Sequence, residues 1–228
     1  MPSDTNGAEQ YSAKYLHVKA RAVERARERG ETGTRVAAPR TQRLPPGQYL
    51  TTKFPVLDLG VQPPFDPDTY RLKIDGAVRN PVSLTFDELR DLPSIELTAD
   101  FHCVTHWSRY DLNWTGVPFE TILDLVDPMP EATYVMQHAM EGYKTNNALA
   151  ELSHPDVIVA YALDGEPIPR EHGAPVRIIA PHLYAWKGAK FLNRIEFLMM
   201  NQRGFWEANG YHNHADPWTE ERFSKDED

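Results

Sequence analysis

The sequence has a single cysteine, Cys103, among its 228 residues. An internal disulfide is therefore excluded, which is compatible with a reducing compartment. No apolar run approaches the ~20 residues that a membrane-spanning helix requires. The N-terminus shows neither the apolar segment of a signal peptide nor a twin-arginine pair followed by an apolar stretch. We therefore expect a cytoplasmic protein without a membrane span.

Positive charge is also scarce, because 24 Lys and Arg residues face 33 Asp and Glu residues, giving a formal net charge of −9. This balance argues against a general nucleic-acid binder but leaves a local basic pocket open. No glycine-rich phosphate-binding fingerprint follows a predicted strand, which argues against a Rossmann or P-loop domain. A chain of this length can still bury roughly 70% of its unfolded surface, so it needs no cross-links.

The patterns that are present predict short strands interleaved with short helices. Residues 69–78 alternate at Tyr70, Leu72 and Ile74 with the period of a strand. Residues 83–93 predict a helix capped by Thr85, with Glu88 three positions later. Further strands are expected at 94–104, 132–140, 156–169, 174–181 and 194–200, and a second helix at 117–126. The fold class is therefore a single mixed α+β domain.

Residues 1–48 are predicted to form a tail, a helix and a linker that precede the main part of the domain. Residues 1–10 are expected to form a disordered tail, 11–29 a polar peripheral helix ending at Gly30, and 31–48 a linker. We accordingly divide the chain into an N-terminal tail and helix, 1–42, and a domain, 43–228. The arginines of the helix predict a solvated face, with docking of an electron-transfer partner as the alternative.

The stretch DFHCVTHW, residues 100–107, surrounds the cysteine with His102, His106 and Trp107. A single cysteine is ordinarily a small buried hydrophobe. Here it follows a predicted strand and precedes WSRYDLNWTGVPF, which we interpret as an ordered loop, so it could face a cleft. A thiolate needs positive charge or a soft metal. Two alternatives stay open: a Cys–His nucleophile, or a ligand to a metal whose cofactor brings its own sulfur atoms.

A second informative stretch, residues 172–192, places basic side chains beside glycines: His172, Arg177, Lys187 and Lys190 around Gly173 and Gly188. Cations and backbone N–H groups can converge there on a phosphate, although an ordinary edge strand with solvated cations is the alternative. His212 and His214 lack a compact further ligand and predict a hydrogen-bonded loop along the cleft rather than a metal site. We interpret His154 and His182 as surface and turn features.

Several motifs together carry a family resemblance: RLPPGQYLT, FPVLDLG, FHCVTHWS, EGYKTN, HGAPVRIIAPHLYAWKGAKFL and GFWEANGYHNHADPW. From about residue 43 to 223 the chain resembles the sulfite oxidase family of molybdopterin-dependent oxidoreductases. It is most similar to the stand-alone bacterial branch that consists of the molybdopterin-binding domain. The resemblance implies the α+β fold of that domain and a molybdenum–molybdopterin cofactor.

The resemblance also implies roles for individual residues. Cys103 matches the thiolate ligand to molybdenum, and Tyr143 matches the active-site tyrosine that faces the oxo ligands and the substrate. The residues matching positions that hold the pterin, its phosphate or the shell around the metal are His102, His106, His172, Arg177, Lys187, Gly188, Ala189 and Lys190.

The implied reaction is a two-electron oxygen-atom transfer on a small molecule such as a sulfoxide, an N-oxide or sulfite, with a separate electron-transfer partner. Sulfite-oxidising members present several arginines to their oxyanion, whereas the nearest arginine after Cys103 is Arg109. This difference weakens the case for sulfite. A cofactor-free Cys/His thiol enzyme and a non-catalytic binding module on the same fold are the alternatives.

Overall fold

The computed structural model describes residues 6–30, 33–37 and 42–227, without the side chains of residues 6–16 and 226. The strands are β1 (Gly33–Val36), β2 (Tyr49–Leu50), β3 (Leu72–Gly76), β4 (Val82–Leu84), β5 (Ile95–His102), β6 (Trp107–Pro118), β7 (Tyr134–Ala139), β8 (Lys144–Ala148), β9 (Ile158–Leu163), β10 (Glu166–Pro167), β11 (Arg177–Ile179) and β12 (Leu192–Leu198). The α-helices are α1 (Asn6–Glu28), α2 (Phe86–Arg90), α3 (Phe119–Val126), α4 (Leu149–Leu152) and α5 (Phe205–Ala208). This is the mixed α+β architecture that the sequence predicted.

The strands form two sheets. The seven-stranded sheet runs in the order β1-β5-β6-β9-β10, with β11 also pairing with β9 and β2 with β6. The five-stranded sheet runs in the order β4-β3-β12-β7-β8. Most pairs are antiparallel, whereas β1 with β5, β2 with β6, and β12 with β3 are parallel. Several loops at the ends of these strands converge on one cavity, described below.

The most consequential correction concerns residues 107–118, which we expected to be a loop. They form β6, which pairs antiparallel with both β5 and β9. Leu112 and Trp114 point into the apolar core beside the first sheet, while the residues between and before them are exposed. The many polar residues of this segment indicated a loop rather than a strand. Its conformation is decided by pairing with two strands that are distant in sequence.

The capped helix was predicted correctly in its cap, although it is shorter than expected. The Thr85 hydroxyl accepts a hydrogen bond from the Glu88 N–H at 3.1 Å, and the Glu88 carboxylate accepts one from the Thr85 N–H at 2.8 Å. This reciprocal capping box satisfies two N–H groups that the first turn would otherwise leave without partners. Its buried residue, Leu89, anchors the helix in the main core.

The N-terminal helix packs against the domain. It begins at Asn6, earlier than residue 11, and the first five residues of the predicted tail lie outside the described part. Val18 and Ala22 are buried in the same apolar cluster as Ile122 of α3. The predicted linker also contains a strand, β1, paired with β5. The boundary at residue 43 stays a prediction.

Candidate active site

A cavity of about 340 Å³ opens where the loops at the strand ends meet. Its walls come from the loop before β3, the turn after β5, the turn between β7 and β8, the segment around β11, and the start of the C-terminal region. Its lining includes Phe54, Leu57, Asp58, Leu59, Cys103, Thr105, Glu141, Tyr143, His172, Arg177, Trp186, Gly188, Lys190 and Trp206. The lining is largely apolar and aromatic, with a few ionisable groups, as is usual for small-molecule sites.

Cys103 lies in the tight turn that joins β5 to β6. Its N–H donates to the Trp107 carbonyl at 2.9 Å, and its carbonyl accepts from the His106 N–H at 3.2 Å. The Gln48 amide donates to the same carbonyl at 2.9 Å. Arg222 donates to the Val104 carbonyl at 2.5 Å. Hydrogen bonds from Gln48 and Arg222 therefore hold the turn in place, so that the Cys103 sulfur faces the cavity.

The thiol of Cys103 is only 6% exposed. Burial raises its pKa above the ordinary value, while Thr105, Arg222 and Lys190 act in the opposite direction. Its Sγ lies 3.2 Å from the Thr105 hydroxyl, a group that cannot take up the thiol proton. The sulfur is thus held as a neutral thiol in the absence of a metal, and a bound soft cation would displace its proton.

Arg177 supplies the deepest positive charge of the cavity. It is 2% exposed, and its Nη1 donates to the His172 carbonyl at 2.8 Å. Its Nε has no hydrogen-bond partner, and no carboxylate among the described residues forms an ion pair with it. Burial lowers its pKa to about 10, which still leaves it charged at neutral pH. A buried, unpaired guanidinium is unfavourable unless an anion joins it, so the site fits a phosphate-bearing cofactor.

His172 and Lys190 flank this guanidinium. The His172 ring stacks on Phe54 with centroids 3.9 Å apart. Burial and then the charge of Arg177 lower the pKa of His172 to about 4, so the ring is neutral at pH 7. Burial, with Arg177 second, likewise lowers the pKa of Lys190 to about 8. The Lys190 ammonium donates to the Glu171 carbonyl at 2.8 Å and remains mostly charged.

Two glycines allow the segments on this side to approach closely. A Cβ at Gly188 would lie 2.3 Å from the Ile178 carbonyl oxygen, so a larger residue would force β11 away. At Gly173, with φ at +111°, a Cβ would meet the Lys190 side chain at 2.8 Å. These contacts hold the segments that carry Arg177 and Lys190 close together.

Tyr143 also lines the cavity and is 8% exposed. Its hydroxyl donates to the Trp186 carbonyl at 2.7 Å. Burial, followed by the nearby Glu207 carboxylate, raises its pKa well above the usual value, so the hydroxyl keeps its proton. Glu207 in turn accepts from the Trp186 indole at 3.3 Å and from the Lys187 ammonium at 2.8 Å. This buried network fixes the aromatic wall.

The structure brings six of the sequence-predicted site residues to this cavity: Cys103, Tyr143, His172, Arg177, Gly188 and Lys190. The other four, His102, His106, Lys187 and Ala189, do not line it. The Lys187 ammonium points into the buried network with Asn146, Glu207 and Asn213. The Ala189 N–H donates to Gln137 at 2.8 Å. Their contribution is to hold the wall, and a direct cofactor contact through the Lys187 side chain does not follow from this geometry.

The histidines flanking the cysteine also lie away from the cavity lining. His102 contacts the Ser108 hydroxyl at 2.8 Å and packs edge-on against Trp218, lining a narrow neighbouring cleft. His106 is exposed and contacts the Gly47 carbonyl at 2.9 Å. His212 and His214 are bonded within their loop, and His214 pairs with Glu221 at 2.6 Å. No group of three or more potential metal-binding side chains occurs in the described part of the chain.

Sequence reasoning missed several residues of the site. Asp58 and Leu57 belong to a motif that carried the family resemblance, but nothing local indicated that their loop covers the cysteine. Glu141 lies beside the predicted Tyr143 and could have been found from that neighbourhood. Arg222 had no signal, because its contact with the cysteine turn spans more than half of the chain.

Comparison with known proteins agrees with this geometry. Residues 59–206 match the family described as the oxidoreductase molybdopterin binding domain. An uncharacterized oxidoreductase, YuiH, of Bacillus subtilis is 44% identical over 185 residues, covering 81% of this chain and 93% of that protein. The catalytic subunit MsrP of a protein-methionine-sulfoxide reductase of Gluconobacter oxydans is 34% identical over 152 residues. That match covers 59% of this chain and 48% of MsrP.

The fold has a counterpart among solved structures. The sulfane dehydrogenase SoxCD of Paracoccus pantotrophus superposes with a TM-score of 0.58 at 19% identity, over 69% of this chain and 46% of that one. The predicted α+β fold, the oxidoreductase class and the molybdopterin cofactor are confirmed by these matches. The chain belongs to the oxidoreductase molybdopterin-binding domain family, the sulfite oxidase type anticipated from its motifs.

Proposed function

We propose that this protein uses a molybdenum–molybdopterin cofactor to reduce a small sulfoxide by oxygen-atom transfer, with Cys103 as the protein ligand to the metal. The observation that carries the proposal is one juxtaposition: the buried thiol and the unpaired guanidinium of Arg177 line the same cavity. The naming of MsrP relatives as methionine-sulfoxide reductases supports the sulfoxide. The chain spans about half the length of those relatives.

The residues present would divide the work of holding the cofactor. Cys103 would give a soft, anionic sulfur ligand. Arg177 and Lys190 would neutralise the phosphate and bind it through charged hydrogen bonds, and the neutral His172 ring would contact the pterin. When bound, the cofactor supplies two-electron redox chemistry, and the protein contributes orientation and electrostatics.

Tyr143 would act on the substrate side. Its hydroxyl stays protonated over the physiological pH range, and it would donate to a substrate oxygen by giving up the hydrogen bond that it makes to the Trp186 carbonyl. Trp186, Trp206 and Tyr211 add aromatic surface to the same cavity. Reduction of a sulfoxide consumes two electrons and two protons and releases a sulfide and water. The electrons require a separate donor, which we propose to be another protein.

The thiol-enzyme alternative is less consistent with the site. A cysteine nucleophile needs a neighbouring base, and the group beside the Cys103 sulfur is the Thr105 hydroxyl. Burial also raises the pKa of the thiol rather than lowering it. A non-catalytic module would have no need of a buried cation without a counter-charge.

The location of the protein stays a prediction. No helix in the described residues is long and apolar enough to cross a membrane. The proposed cytoplasmic location would be tested by fractionating cells and following the protein with an antibody.

Metal analysis tests the proposal. Protein purified from cells grown with molybdate should contain close to one molybdenum per chain and release a fluorescent pterin on denaturation, and it should reduce methionine sulfoxide with a reduced dye. Protein from tungstate-grown cells should be inactive. The variant Cys103→Ser should fold normally and lose activity by more than about 100-fold, because oxygen is a harder donor than sulfur.

The variant His106→Gln is a matched control, since it alters the same turn without touching the cavity lining. It should keep its molybdenum and its turnover. A purified protein without molybdenum and pterin, or an active Cys103→Ser variant, would overturn the proposed function.

A further inference from the structure

We propose that Asp58 and Glu141 make the cavity acidic on its substrate side, so that the site admits uncharged or cationic substrates and repels oxyanions such as sulfite. This inference rests on the proposed function, and it names the substrate class of the same site. Both carboxyl groups line the cavity that holds Cys103.

Asp58 contributes a fixed negative charge. Its carboxylate accepts hydrogen bonds from the Gly60 N–H at 2.8 Å and the Gln62 side chain at 3.0 Å. These two donors, Gln62 first, lower its pKa. The charge of Lys190 also lowers its pKa, although no Lys or Arg of the described residues forms a direct ion pair with it. Its charge is therefore held in place by neutral donors and stays uncompensated by any direct contact.

Glu141 lies in the turn between β7 and β8, two positions before Tyr143. Its Oε2 is shielded from solvent and has no hydrogen-bond partner. Burial raises the pKa of this carboxyl, and the charge of Asp58 acts in the same direction, whereas Lys190 opposes it. The charged groups that act on it thus include one carboxylate and one ammonium.

The cavity lining carries two cations and two acidic side chains. Arg177 and Lys190 are positive, Asp58 and Glu141 are acidic, and His172 is neutral at pH 7. Arg177 and Lys190 would have their charges offset by a bound phosphate, which would leave Asp58 and Glu141 as the acidic residues of the lining; Arg222, whose charge also acts on Cys103, lies outside that lining. An anionic substrate meets repulsion in a partly apolar space, where charges interact more strongly than in water. A neutral sulfoxide meets none.

The single cysteine makes this selectivity measurable without turnover. In cofactor-free protein, Cys103 is the sole thiol, so alkylation by neutral iodoacetamide and by anionic iodoacetate reports the potential in the cavity. The ratio of the two rates cancels the thiolate fraction, because both reagents attack the same thiolate. At pH 8.5 the Asp58→Asn/Glu141→Gln variant should lower the iodoacetamide-to-iodoacetate ratio by at least about threefold.

Two controls separate the proposed effect from others. Asp68→Asn removes a carboxylate from the same loop outside the cavity lining and should leave the ratio unchanged. Raising the salt concentration to 1 M should shrink the difference between wild type and the double variant, since salt screens exposed charges. An unchanged ratio in the double variant, or an equal change in Asp68→Asn, would overturn the inference.

The loaded enzyme supplies the second measurement. Sulfite should inhibit sulfoxide reduction by the wild type weakly, and the double variant should bind it at least about threefold more tightly at equal molybdenum content. Equal inhibition of both proteins would also overturn the inference. Loss of molybdenum from wild-type protein would instead refute the proposed function, while the alkylation result would stand independently.

Discussion

At the scale of the residue, burial sets the charges around the cavity. Arg177 remains charged although it is fully buried, whereas His172 beside it is kept neutral. The difference follows from their ordinary pKa values, because burial opposes the charged form of both groups and only histidine titrates close to neutral pH. The neutral ring can therefore pack against Phe54, while the guanidinium retains its affinity for an anion.

The lowered pKa of His172 predicts a pH-dependent loss of stability. Its value falls from 6.5 to about 4 on folding, so an unfolded chain binds a proton that the folded chain excludes below pH 6.5. The contribution of the neutral His172 to stability is fully present above pH 6.5 and declines as the pH falls toward 4. Because the ring is only half-buried, we expect His172 to lower the free energy of unfolding by about 1 kcal/mol when the pH falls from 7.5 to 5.0.

Urea unfolding of cofactor-free protein at these two pH values measures the effect. In His172→Gln the decline should be smaller than in wild type by that amount, since other titrating groups contribute equally to both proteins. An identical decline in the two proteins would contradict the assignment.

At the scale of the element, a buried ion pair joins the short helix α5 to the turn at residues 185–187. The Lys187 and Glu207 side chains are 1% and 0% exposed. Glu207 also holds Thr145 of β8 at 2.7 Å and the Trp186 indole. One carboxylate thus connects α5, β8 and the turn at residues 185–187, and it thereby helps to fix the wall that carries Tyr143.

Removal of one partner of this pair should be severe. Glu207→Gln leaves the Lys187 ammonium buried without a counter-charge, which we expect to lower the free energy of unfolding by about 3–5 kcal/mol. Lys187→Met/Glu207→Leu should lose less than the sum of the two single changes, because no charge stays stranded. Urea unfolding of wild type, Lys187→Met, Glu207→Leu and the double variant gives the coupling.

The control is the surface pair of Arg79 and Asp127, whose side chains are 51% and 50% exposed. Arg79→Met should change stability by about 1 kcal/mol or less. Additive effects of the Lys187 and Glu207 changes would show that the pair is not coupled.

At the scale of the whole molecule, α1 completes the core. Ala22 and Ala26 are fully buried, and Val18 joins the apolar cluster of α3. At the edge of this contact, Arg25 and Arg29 pair with Asp124 at 2.9 and 2.6 Å. The basic residues at the end of the helix thus form ion pairs with α3 of the same chain. Docking of an electron-transfer partner on the remaining helix surface stays a prediction.

A charge placed on the inner face of α1 should therefore destabilise the entire protein. Ala22→Glu should lower the free energy of unfolding by at least about 2 kcal/mol, because the new carboxylate has no partner among the apolar residues of the interface. Ala20→Glu, on the exposed side of the same helix, should change it by less than about 0.5 kcal/mol. Thermal unfolding of both variants distinguishes an integral helix from a loosely attached one, for which the two changes would have equal effects.

Local signals in the sequence were sufficient for part of this structure. The capping box of Thr85 and Glu88, the alternation of β3 and the placement of Cys103 at a strand end follow from interactions within a few residues. The family motifs identified the cofactor class, and they named six residues that the structure brings into one cavity.

Tertiary structure alone decided the rest. The strand β6 forms because β5 and β9 pair with it. The Lys187 ammonium points inward because it forms an ion pair with the buried Glu207 carboxylate. Asp58 and Glu141 face one cavity because two loops distant in sequence converge. The physical reason is common to all three: pairing, burial and electric potential depend on which groups are neighbours in space, whereas periodicity and capping depend only on neighbours along the chain.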